Sequence, residues 1–589
     1  MEQAQTWRAR RAHFMHRYHA RKSARAKPAT GFVSQPEPKT IGHFARGRQL
    51  IGGNFLFAGT FVQAPNALIW DIGIDNARVA EEIQGCAWLD DLAAVGDIRA
   101  RERAQTWIQD WITRFGDGTG PGWTPDLTGR RLIRWINHGL FLLRGQNNVL
   151  SEVFFQSLGQ QTLFLAKRWK TTEPGLPRFE ALAGMIYAGL ALEGMERFAD
   201  PAVKALAADC TTQIDAMGGI ASRNPEDLLE TFTLITWATQ ALSIAGQVPP
   251  HQLTDALERV APTLRALRHS DGSLARFHGG GRGLEGRLDH ALADSKVRVT
   301  PIAPTDLHMG FARVTAGRTS VIVDADAPPV GPASSDAHAS TLAIEVTSGR
   351  RPIIVTCGSG RSFGEDWRRA GRATPSHSTL WINGYSSSRL APRVKESRTT
   401  ELMLDVPQLV QCEFSNLDDG KRLELSHSGY RPTHGLTHAR TLDIALDGRG
   451  LVGEDLLTTL GQNDENRLKR LIERSGSGIP FTLRFHLHPD VDAKVDLNGS
   501  AVSIILKSGE VWIFRHDGTA NLSLEPSVYL ENGRLKPRAS QQVVLSSAAM
   551  AYATRVRWSL AKAQDTPDAV RDLTPNEPVG GYKDTSRGT

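Results

Sequence analysis

The chain is poor in cysteine, and its cysteines lie far apart. Cys86, Cys210, Cys357 and Cys412 are the four cysteines of a 589-residue sequence, and no two of them form a CxxC pair. This spacing argues against a zinc ribbon, a thioredoxin-like redox site and a disulfide framework. We therefore expect free thiols that are mostly buried.

Long apolar runs are missing as well. The first 28 residues are basic throughout, and no later stretch is long and apolar enough to cross a bilayer. The sequence thus predicts neither a secretory signal nor a transmembrane segment. We expect a cytoplasmic protein, with the periplasm or the cell envelope as the alternative.

The signatures of several nucleotide- and metal-dependent enzymes are absent. The segment GSGRSFG, residues 358–364, lacks the GK[ST] of a phosphate-binding loop, and no GxGxxG opens a helix after a predicted strand. An HExxH motif is also absent. These gaps disfavour an NTPase, a dehydrogenase and a zincin, and we do not expect a GxSxG serine hydrolase either.

The positive charge of the chain is concentrated at its start. The formal net charge is +6, and residues 1–28 carry eight Lys or Arg against one Glu. The rest of the chain is close to neutral, so nucleic acid is not a predicted partner. We expect residues 1–40 to form a basic disordered tail that is solvated or binds a surface.

Residues from about 75 to 265 show the periodicity of helices, within a helical domain expected over residues 41–300. In FEALAGMIYAGLALEGM, the residues Phe179, Leu182, Ile186 and Leu190 recur on one stripe. Similar segments are separated by Gly, Pro and Asp at the intervals of helix pairs. The pattern predicts an all-α domain of stacked helical hairpins, as in an (α/α) toroid.

Residues 305–562 show short alternating runs such as STLAIEVTSG, with turns such as Asp447-Gly448 between them. These features predict hairpins of an antiparallel sheet system. The predicted fold is therefore α+β with two domains, an N-terminal (α/α) toroid followed by a C-terminal antiparallel β-sandwich. Residues 563–589 are polar and Pro-rich and are expected to be disordered.

One predicted strand carries two histidines on a single face. In FTLRFHLHP, Arg484, His486 and His488 alternate with apolar residues, so their side chains point away from the core side. A metal or a sugar could bind there, but no carboxylate accompanies them. The preferred interpretation is a solvated outer face.

Three segments in a fixed order carry a family resemblance. They are DAHASTLAIEV (336–346), IIVTCGSG (353–360) and RATPSHSTLWING (372–384). Their order and spacing resemble the C-terminal domain of the heparinase II/III-like polysaccharide lyases, where an HxHxD motif runs into a strand and a later histidine follows an Arg-rich loop. The toroid half resembles the same family in RRLIRWINHGL and GGIASRNPEDLLE. The resemblance covers most of residues 75–560.

This resemblance implies β-elimination on an acidic, uronic-acid-containing polysaccharide. A lyase of this kind removes the proton at C5 of a uronic acid and expels the substituent at C4, which requires a neutraliser of the sugar carboxylate and groups that transfer protons. The implied catalytic residues are Arg178, Arg223 or Asn224 at the carboxylate, with His338 or His377 handling protons or orienting the sugar. The residues implied to bind the sugar are Asn137, His138, Glu180, Tyr187, Asp336 and Arg372.

The zinc ligands of the family are only partly present. His338 and His377 match two ligand positions, but Asp336 stands at the first histidine position of the motif. Ser340 and Thr356 stand where the motif and the next strand have aspartates. Protein zinc sites normally use three or four ligands, so the two histidines would hold zinc only weakly.

Structural roles for these residues stay open. A histidine at the start of a strand, such as His338, is often a hydrogen-bonded structural residue. Asn137 and His138 can serve in helix packing and capping. Tyr187 shares a helix face with Glu180 and can be a core residue instead of an acid or base.

Two other functions stay open at the level of the whole protein. The first is a glycan-binding or envelope-polymer assembly protein that keeps the scaffold and has lost the chemistry. The second is a hydrolase with paired carboxylates, for which Glu180 with Asp126 or Glu226 are the candidates.

Overall fold

The helical domain comes first in the chain. The computed structural model describes residues 2–26, 29–34, 38–72, 76–298, 307–392 and 401–563. The helices of this half are α1 (Glu2–Ser23), α2 (Phe44–Ile51), α3 (Ala77–Gln84), α4 (Trp88–Val95), α5 (Ile98–Phe115), α6 (Pro125–Asn137), α7 (Gly139–Leu143), α8 (Asn148–Arg168), α9 (Leu176–Ala191), α10 (Ala199–Gln213), α11 (Pro225–Ile244), α12 (His251–Ala266) and α13 (Arg287–Asp294).

The strands follow, apart from one early hairpin. That hairpin consists of β1 (Asn54–Phe57) and β2 (Thr60–Gln63). The remaining strands are β3 (Phe311–Ala316), β4 (Thr319–Asp324), β5 (Ile344–Ser348), β6 (Arg351–Val355), β7 (Leu380–Ile382), β8 (Arg389–Leu390), β9 (Met403–Asp405), β10 (Val410–Asn416), β11 (Gly420–His427), β12 (Thr437–Ala445), β13 (Gly450–Thr458), β14 (Ile479–Leu487), β15 (Asp492–Asp496), β16 (Ala501–Ile505), β17 (Val511–His516), β18 (Asn521–Tyr529), β19 (Arg538–Ala549) and β20 (Ala553–Lys562). Three helices lie among them, α14 (Glu365–Gly371), α15 (Arg431–His434) and α16 (Gln462–Ser475).

Polar caps set several helix starts in the helical domain. Asn76, Asp97, Asn147 and Asn224 each precede a helix, and each accepts a backbone N–H of the first turn with its side-chain oxygen. Such a cap satisfies donors that have no partner within the helix, so it favours a helix start at that residue. The cap at Asn224 fixes the start of α11, which faces the second domain.

Helices α6 and α9 cross at two glycines. A Cβ placed on Gly184 would lie 2.4 Å from the Cα of Gly129, and a Cβ on Gly129 would lie 2.3 Å from the carbonyl oxygen of Glu180. Only glycine permits backbones this close without a shift. The crossing places Glu180 of α9 beside Arg130 of α6.

The strands of the second domain form two eight-stranded sheets. One has the order β10-β11-β12-β13-β20-β17-β16-β15, and the other has the order β18-β19-β14-β6-β5-β4-β3 with β7 also paired to β14. Phe485, Phe514 and Trp558 belong to the apolar core of this domain. The predicted fold class, a toroid of helices followed by an antiparallel β-sandwich, is confirmed.

The sheet that contains β4 packs against the helices. Every residue of β4 is buried, as expected for a strand covered on both faces. Phe311 and Ile322 join the apolar core of the helical domain. Arg313 of β3 donates to the carbonyls of Arg265, Ala266 and Arg268 at the end of α12.

The N-terminal segment differs from the predicted disordered tail. Residues 2–26 contain α1, which packs along α8. Ala20 is fully buried, and the amide of Gln160 donates to the carbonyl of Ala24 at 2.9 Å. Buried small residues of α1 and carbonyls at its end contact α8 and fix the helix in place. The basic composition of the segment gives no sign of these contacts.

Three local features were not predicted from the pattern. The hairpin β1–β2 lies in the helical half, and α16 lies in the sandwich. The helices α3 and α4 are separate elements, because Cys86 between them has a φ of 59°. A left-handed residue interrupts the helical hydrogen-bond pattern.

The predicted free thiols are confirmed, since Cys86, Cys210 and Cys357 are buried and Cys412 is partly exposed. Within the described ranges, no helix is both long and apolar enough to span a membrane. The C-terminal segment predicted to be disordered lies outside the described residues from position 564 onward.

Candidate functional site

A buried ion pair joins the two domains. Arg223 precedes α11, and its Nη2 donates to Asp324 Oδ1 at the end of β4 over 2.6 Å. Ser340 Oγ donates to Asp324 Oδ2 at 2.6 Å, and His278 Nε2 lies 3.3 Å from the same oxygen. Burial alone would raise the pKa of Asp324, but the charge of Arg223 and the contacts of His278 and Ser340 hold it well below its ordinary value. The carboxylate is therefore ionised and tightly held.

Arg223 also donates hydrogen bonds to backbone carbonyls of the second domain. Its Nε donates to Met309 O at 2.9 Å, Nη1 to Ala327 O at 2.7 Å, and Nη2 also to Gly310 O at 2.9 Å. These contacts fasten the domains together. The predicted role of Arg223 at a sugar carboxylate stays a prediction that none of these contacts supports.

The two histidines of the strand motifs lie side by side in the interior. The rings of His338 and His377 are 5.0 Å apart between centroids, and both residues are 0% exposed. The N–H of Gly279 donates to His338 Nε2 at 3.0 Å, and the N–H of His338 donates to His278 Nδ1 at 3.1 Å. Burial lowers the pKa of His377 to about 3 and that of His338 well below its usual value. Both rings are neutral and closed off from solvent.

Exposed charges gather instead around Arg361, which follows β6. Its side chain is 44% exposed, and its Nη1 lies 3.5 Å from Asp336 Oδ2. The charges of Asp336, Glu81 and Asp227 raise the pKa of Arg361, against the effects of burial and of Arg130. The charges that act on Arg361 therefore come from both domains. We call the set the Arg361 cluster, with the members Arg78, Glu81, Asp126, Arg130, Glu180, Glu226, Asp227, Asp336 and Arg361.

The helical wall of the Arg361 cluster is built on the crossing of α6 and α9. Arg130 Nε lies 2.6 Å from Glu180 Oε1, and Arg130 Nη1 lies 3.3 Å from Glu81 Oε1. Burial raises the pKa of Glu180 to about 7, although Arg130 acts in the opposite direction. Glu180 can therefore change its charge near neutral pH.

The start of α11 contributes two further carboxylates. Glu226 Oε2 accepts the N–H of Gly281 at 2.8 Å. Burial raises the pKa of the adjacent Asp227 to about 7, with Arg361 opposing and Glu226 reinforcing the shift. The predicted role of Asn224 at the sugar was not supported by a contact here, since its Oδ1 accepts the N–H of Glu226 as a helix cap.

Contacts between the domains hold the turn that carries Arg361. Arg78 Nη1 donates to the carbonyl of Arg361 at 2.6 Å, and Arg78 Nη2 lies 3.2 Å from Glu365 Oε1. At the tip of the β1–β2 hairpin, a Cβ on Gly59 would lie 1.6 Å from the carbonyl oxygen of Ser362. The hairpin thus reaches the sandwich only because residue 59 has no side chain.

Comparisons with known proteins identify the family. The family described as "Heparinase II/III-like, C-terminal" matches residues 303–559. FtsZ-localized protein C of Caulobacter vibrioides (strain NA1000 / CB15N) is 30% identical over 557 residues, which is 93% of this chain and 92% of that protein. The chain belongs to the heparinase II/III-like family. The resemblance predicted from the strand motifs is confirmed.

Solved structures of the heparinase II/III-like family share the architecture. The crystal structure of heparinase III gives a TM-score of 0.66 at 13% identity, covering 95% of this chain and 90% of that one. The crystal structure of heparan sulfate lyase HepC from Pedobacter heparinus gives a TM-score of 0.54 at 13% identity. The match covers 94% of this chain and 88% of that one. At this identity the likeness is one of fold.

The zinc implied by the heparinase II/III-like resemblance does not fit the residues present. His338 Nε2 already accepts the N–H of Gly279. Ser340 Oγ is bound to Asp324, and Thr356 Oγ1 donates to the carbonyl of Arg276 at 3.0 Å. In the part of the chain that the structure describes, no group of three or more His, Cys, Asp or Glu could hold a metal ion.

Three predicted sugar-binding residues lie inside the helical domain. His138 Nε2 lies 2.9 Å from Asp90 Oδ1 and 3.1 Å from Thr40 Oγ1. Asn137 and Tyr187 are almost fully buried, and burial raises the pKa of the Tyr187 phenol. These positions agree with the packing roles that the sequence left open.

Arg178 and Arg372 bind protein carbonyls. Arg178 Nη2 donates to Thr172 O at 2.7 Å, and Arg372 Nε donates to Ala337 O at 2.8 Å. Arg372 is buried within the sandwich. Of the predicted sugar-binding residues, Glu180 and Asp336 are the two that the structure brings into the Arg361 cluster.

The predicted solvated face of β14 is wrong. His486 and His488 are both buried. His486 Nε2 donates to Pro375 O at 2.9 Å, and its Nδ1 lies 2.8 Å from Ser527 Oγ. The second face of this strand is covered by neighbouring segments, so alternation of apolar and polar residues did not mean exposure.

The sequence analysis missed Arg361 and the GxSxG spacing around it. Residues 360–364 read GRSFG, which matches a serine-hydrolase nucleophile turn. Ser362 Oγ donates to Asn532 Oδ1 at 2.9 Å, and an amide oxygen cannot act as the general base of such a site. The residue of this segment that contacts other charged groups at the domain boundary is Arg361.

Proposed function

We propose that the protein is a non-catalytic member of the heparinase II/III-like family that associates with FtsZ and binds a glycan at the Arg361 cluster. The observation that carries this proposal is the complete burial of His338 and His377. Proton abstraction from a sugar requires a base within hydrogen-bond reach of the substrate. Neither ring has an exposed edge to offer.

Arg223, which was predicted to neutralise the substrate carboxylate, already has partners within the protein. Arg223 binds Asp324 and three carbonyls. These hydrogen bonds would have to break before the buried guanidinium could bind a sugar. The accessible groups near the seam of the two domains are carboxylates and arginines of the Arg361 cluster.

The relative from Caulobacter supports the FtsZ part of the proposal. It matches 93% of this chain, so the likeness includes both domains. Its name describes localisation to FtsZ. Association with FtsZ would place this chain in the cytoplasm.

Co-sedimentation with FtsZ tests this association. Purified chain is mixed with FtsZ that has been polymerised with GTP, and the polymers are pelleted. We expect the chain in the pellet with GTP and in the supernatant without it. Heparinase III, which has the same fold, should stay in the supernatant. Equal partition of the chain with and without FtsZ polymers would refute the association.

An active lyase is the competing proposal, motivated by the family. It would cleave an acidic, uronic-acid-containing polysaccharide by β-elimination. The formation of an unsaturated sugar end separates the two proposals, because glycan binding alone creates no double bond. A hydrolase with Glu180 and Asp126 or Glu226 would produce reducing ends without unsaturation.

A further inference from the structure

The segment that follows α12 lies against the sandwich in an unusual backbone conformation. His278 and Gly279 are both left-handed, with φ values of 47° and 91°. A residue with a side chain adopts this conformation at a cost, so its surroundings must hold it there. His278 is 1% exposed and lies at the boundary between the helical domain and the sandwich.

Two reciprocal hydrogen bonds cross this boundary. The backbone N–H of His338 donates to His278 Nδ1 at 3.1 Å, and the backbone N–H of Gly279 donates to His338 Nε2 at 3.0 Å. Each imidazole therefore accepts the main-chain N–H that lies beside the other imidazole. All three residues are buried, and a buried N–H that loses its acceptor is costly.

The two bonds assign one proton to each ring. A neutral imidazole has one acceptor nitrogen, and its other nitrogen carries the proton. His278 accepts at Nδ1, so its proton is on Nε2, which lies 3.3 Å from Asp324 Oδ2. His338 accepts at Nε2, so its proton is on Nδ1. Both acceptor nitrogens are therefore occupied by contacts between the domains.

Close backbone packing surrounds these bonds. A Cβ on Gly279 would lie 2.7 Å from the Cβ of Asp336, so the segment reaches the sandwich only with glycine at this position. Asp336 accepts from Arg368 Nε at 3.1 Å and lies 3.5 Å from Arg361 Nη1. The contact with Gly279 therefore helps to place Asp336 beside Arg361.

We infer that His278 and His338 form an interdomain clasp, in which each ring holds the backbone of the other domain through its acceptor nitrogen. His338 stands where the family resemblance implies a histidine that transfers protons or binds zinc. The clasp makes it a positioning residue that fastens the helical domain to the sandwich and keeps Asp336 in place. This inference depends on neither glycan binding nor FtsZ, so it goes beyond the proposed function and can fail or hold independently of it.

Hydrogen exchange of the two amides in the full chain tests the clasp. The side-chain oxygen of Asn can replace Nδ1 of a histidine as acceptor, and the oxygen of Gln can replace Nε2. His338→Gln therefore keeps an acceptor for the amide of Gly279, whereas His338→Asn removes it. At the other ring, His278→Asn keeps an acceptor for the amide of His338, whereas His278→Gln removes it.

We expect a reciprocal pattern of exchange rates. The amide of Gly279 should exchange at least about tenfold faster in His338→Asn, and the amide of His338 should do so in His278→Gln. The two variants that keep an acceptor should stay within about threefold of the unchanged chain.

The matched control is His438→Asn, which changes a buried histidine within the sandwich that bonds Asp455 at 2.7 Å. It should leave both amides unchanged. Equal exchange in the Asn and Gln variants of either histidine would overturn the inference, because the position of the acceptor would then not matter. Faster exchange of both amides in His438→Asn would also overturn it, since the amides would report only overall stability.

Nitrogen-15 spectra of the histidine rings in the unchanged chain give a test that needs no folded variant. They should show His278 with its proton on Nε2 and His338 with its proton on Nδ1. The opposite tautomer at either ring would contradict the clasp.

Discussion

The guanidinium of Arg223 in the helical domain lies 2.6 Å from the carboxylate of Asp324 in the sandwich. The family resemblance predicts that this arginine engages the carboxylate of a uronic acid. The protein instead supplies a carboxylate of its own to the arginine. The pair therefore ties the two domains together and leaves Arg223 without a free edge for a sugar carboxylate.

Replacing Asp324 should destabilise the protein strongly. Asp324→Asn leaves the buried Arg223 without its counter-charge, and breaking a buried pair in this way costs about 3–5 kcal/mol of unfolding free energy. Urea denaturation of the two proteins measures the difference. Asp405→Asn removes the partner of Arg389 in an exposed pair and should cost about 1 kcal/mol or less. Similar losses for the two variants would contradict the role given to Asp324.

The buried histidines should make the fold sensitive to mild acid. Burial lowers the pKa of His377 from 6.5 to about 3, so the unfolded chain binds this proton first as the pH falls. The stability that His377 contributes is present above pH 6.5 and is lost as the pH drops toward 3, by about 1.4 kcal/mol per pH unit. Unfolding free energies at pH 6 and pH 5 should therefore differ less in His377→Asn than in the unchanged chain. Parallel pH profiles would show that His377 titrates normally.

The glycine crossing of α6 and α9 should tolerate no side chain. Gly184→Ala places a methyl group 2.4 Å from the Cα of Gly129, so the helices must separate. We expect a loss of about 1–3 kcal/mol, which exceeds the gain of about 1 kcal/mol that alanine gives to a helix interior. Thermal unfolding shows whether the substitution lowers or raises the stability of the protein. Gly450→Ala, where a Cβ would meet only the Cβ of Ala445 at 3.8 Å, is the control and should be close to neutral.

Much of the fold was predictable because it depends on local patterns. The helical stripe through Phe179 and Leu182 and the alternation in STLAIEVTSG each reflect which face of an element is buried. The ordered helix α1 was not predictable, since its stability comes from contacts with α8 that lie far away in sequence.

The site was less predictable than the fold. The strand motifs single out His338 and His377, whose rings do lie side by side, but a motif gives no measure of burial. Arg361 was overlooked because its partners Glu81 and Asp227 come from two helices that the sequence does not bring together. Residues that meet only through tertiary packing leave no spacing signal.

Incubation of the purified chain with a panel of uronate polymers tests the central claim most directly. Ultraviolet absorbance of the unsaturated sugar end reports every β-elimination event, and heparinase III on heparan sulfate serves as the positive control. We predict no increase in absorbance with any polymer, while the chain remains folded throughout. A steady increase that is abolished in His338→Ala or Arg223→Ala proteins that still fold would contradict the account and establish an active lyase.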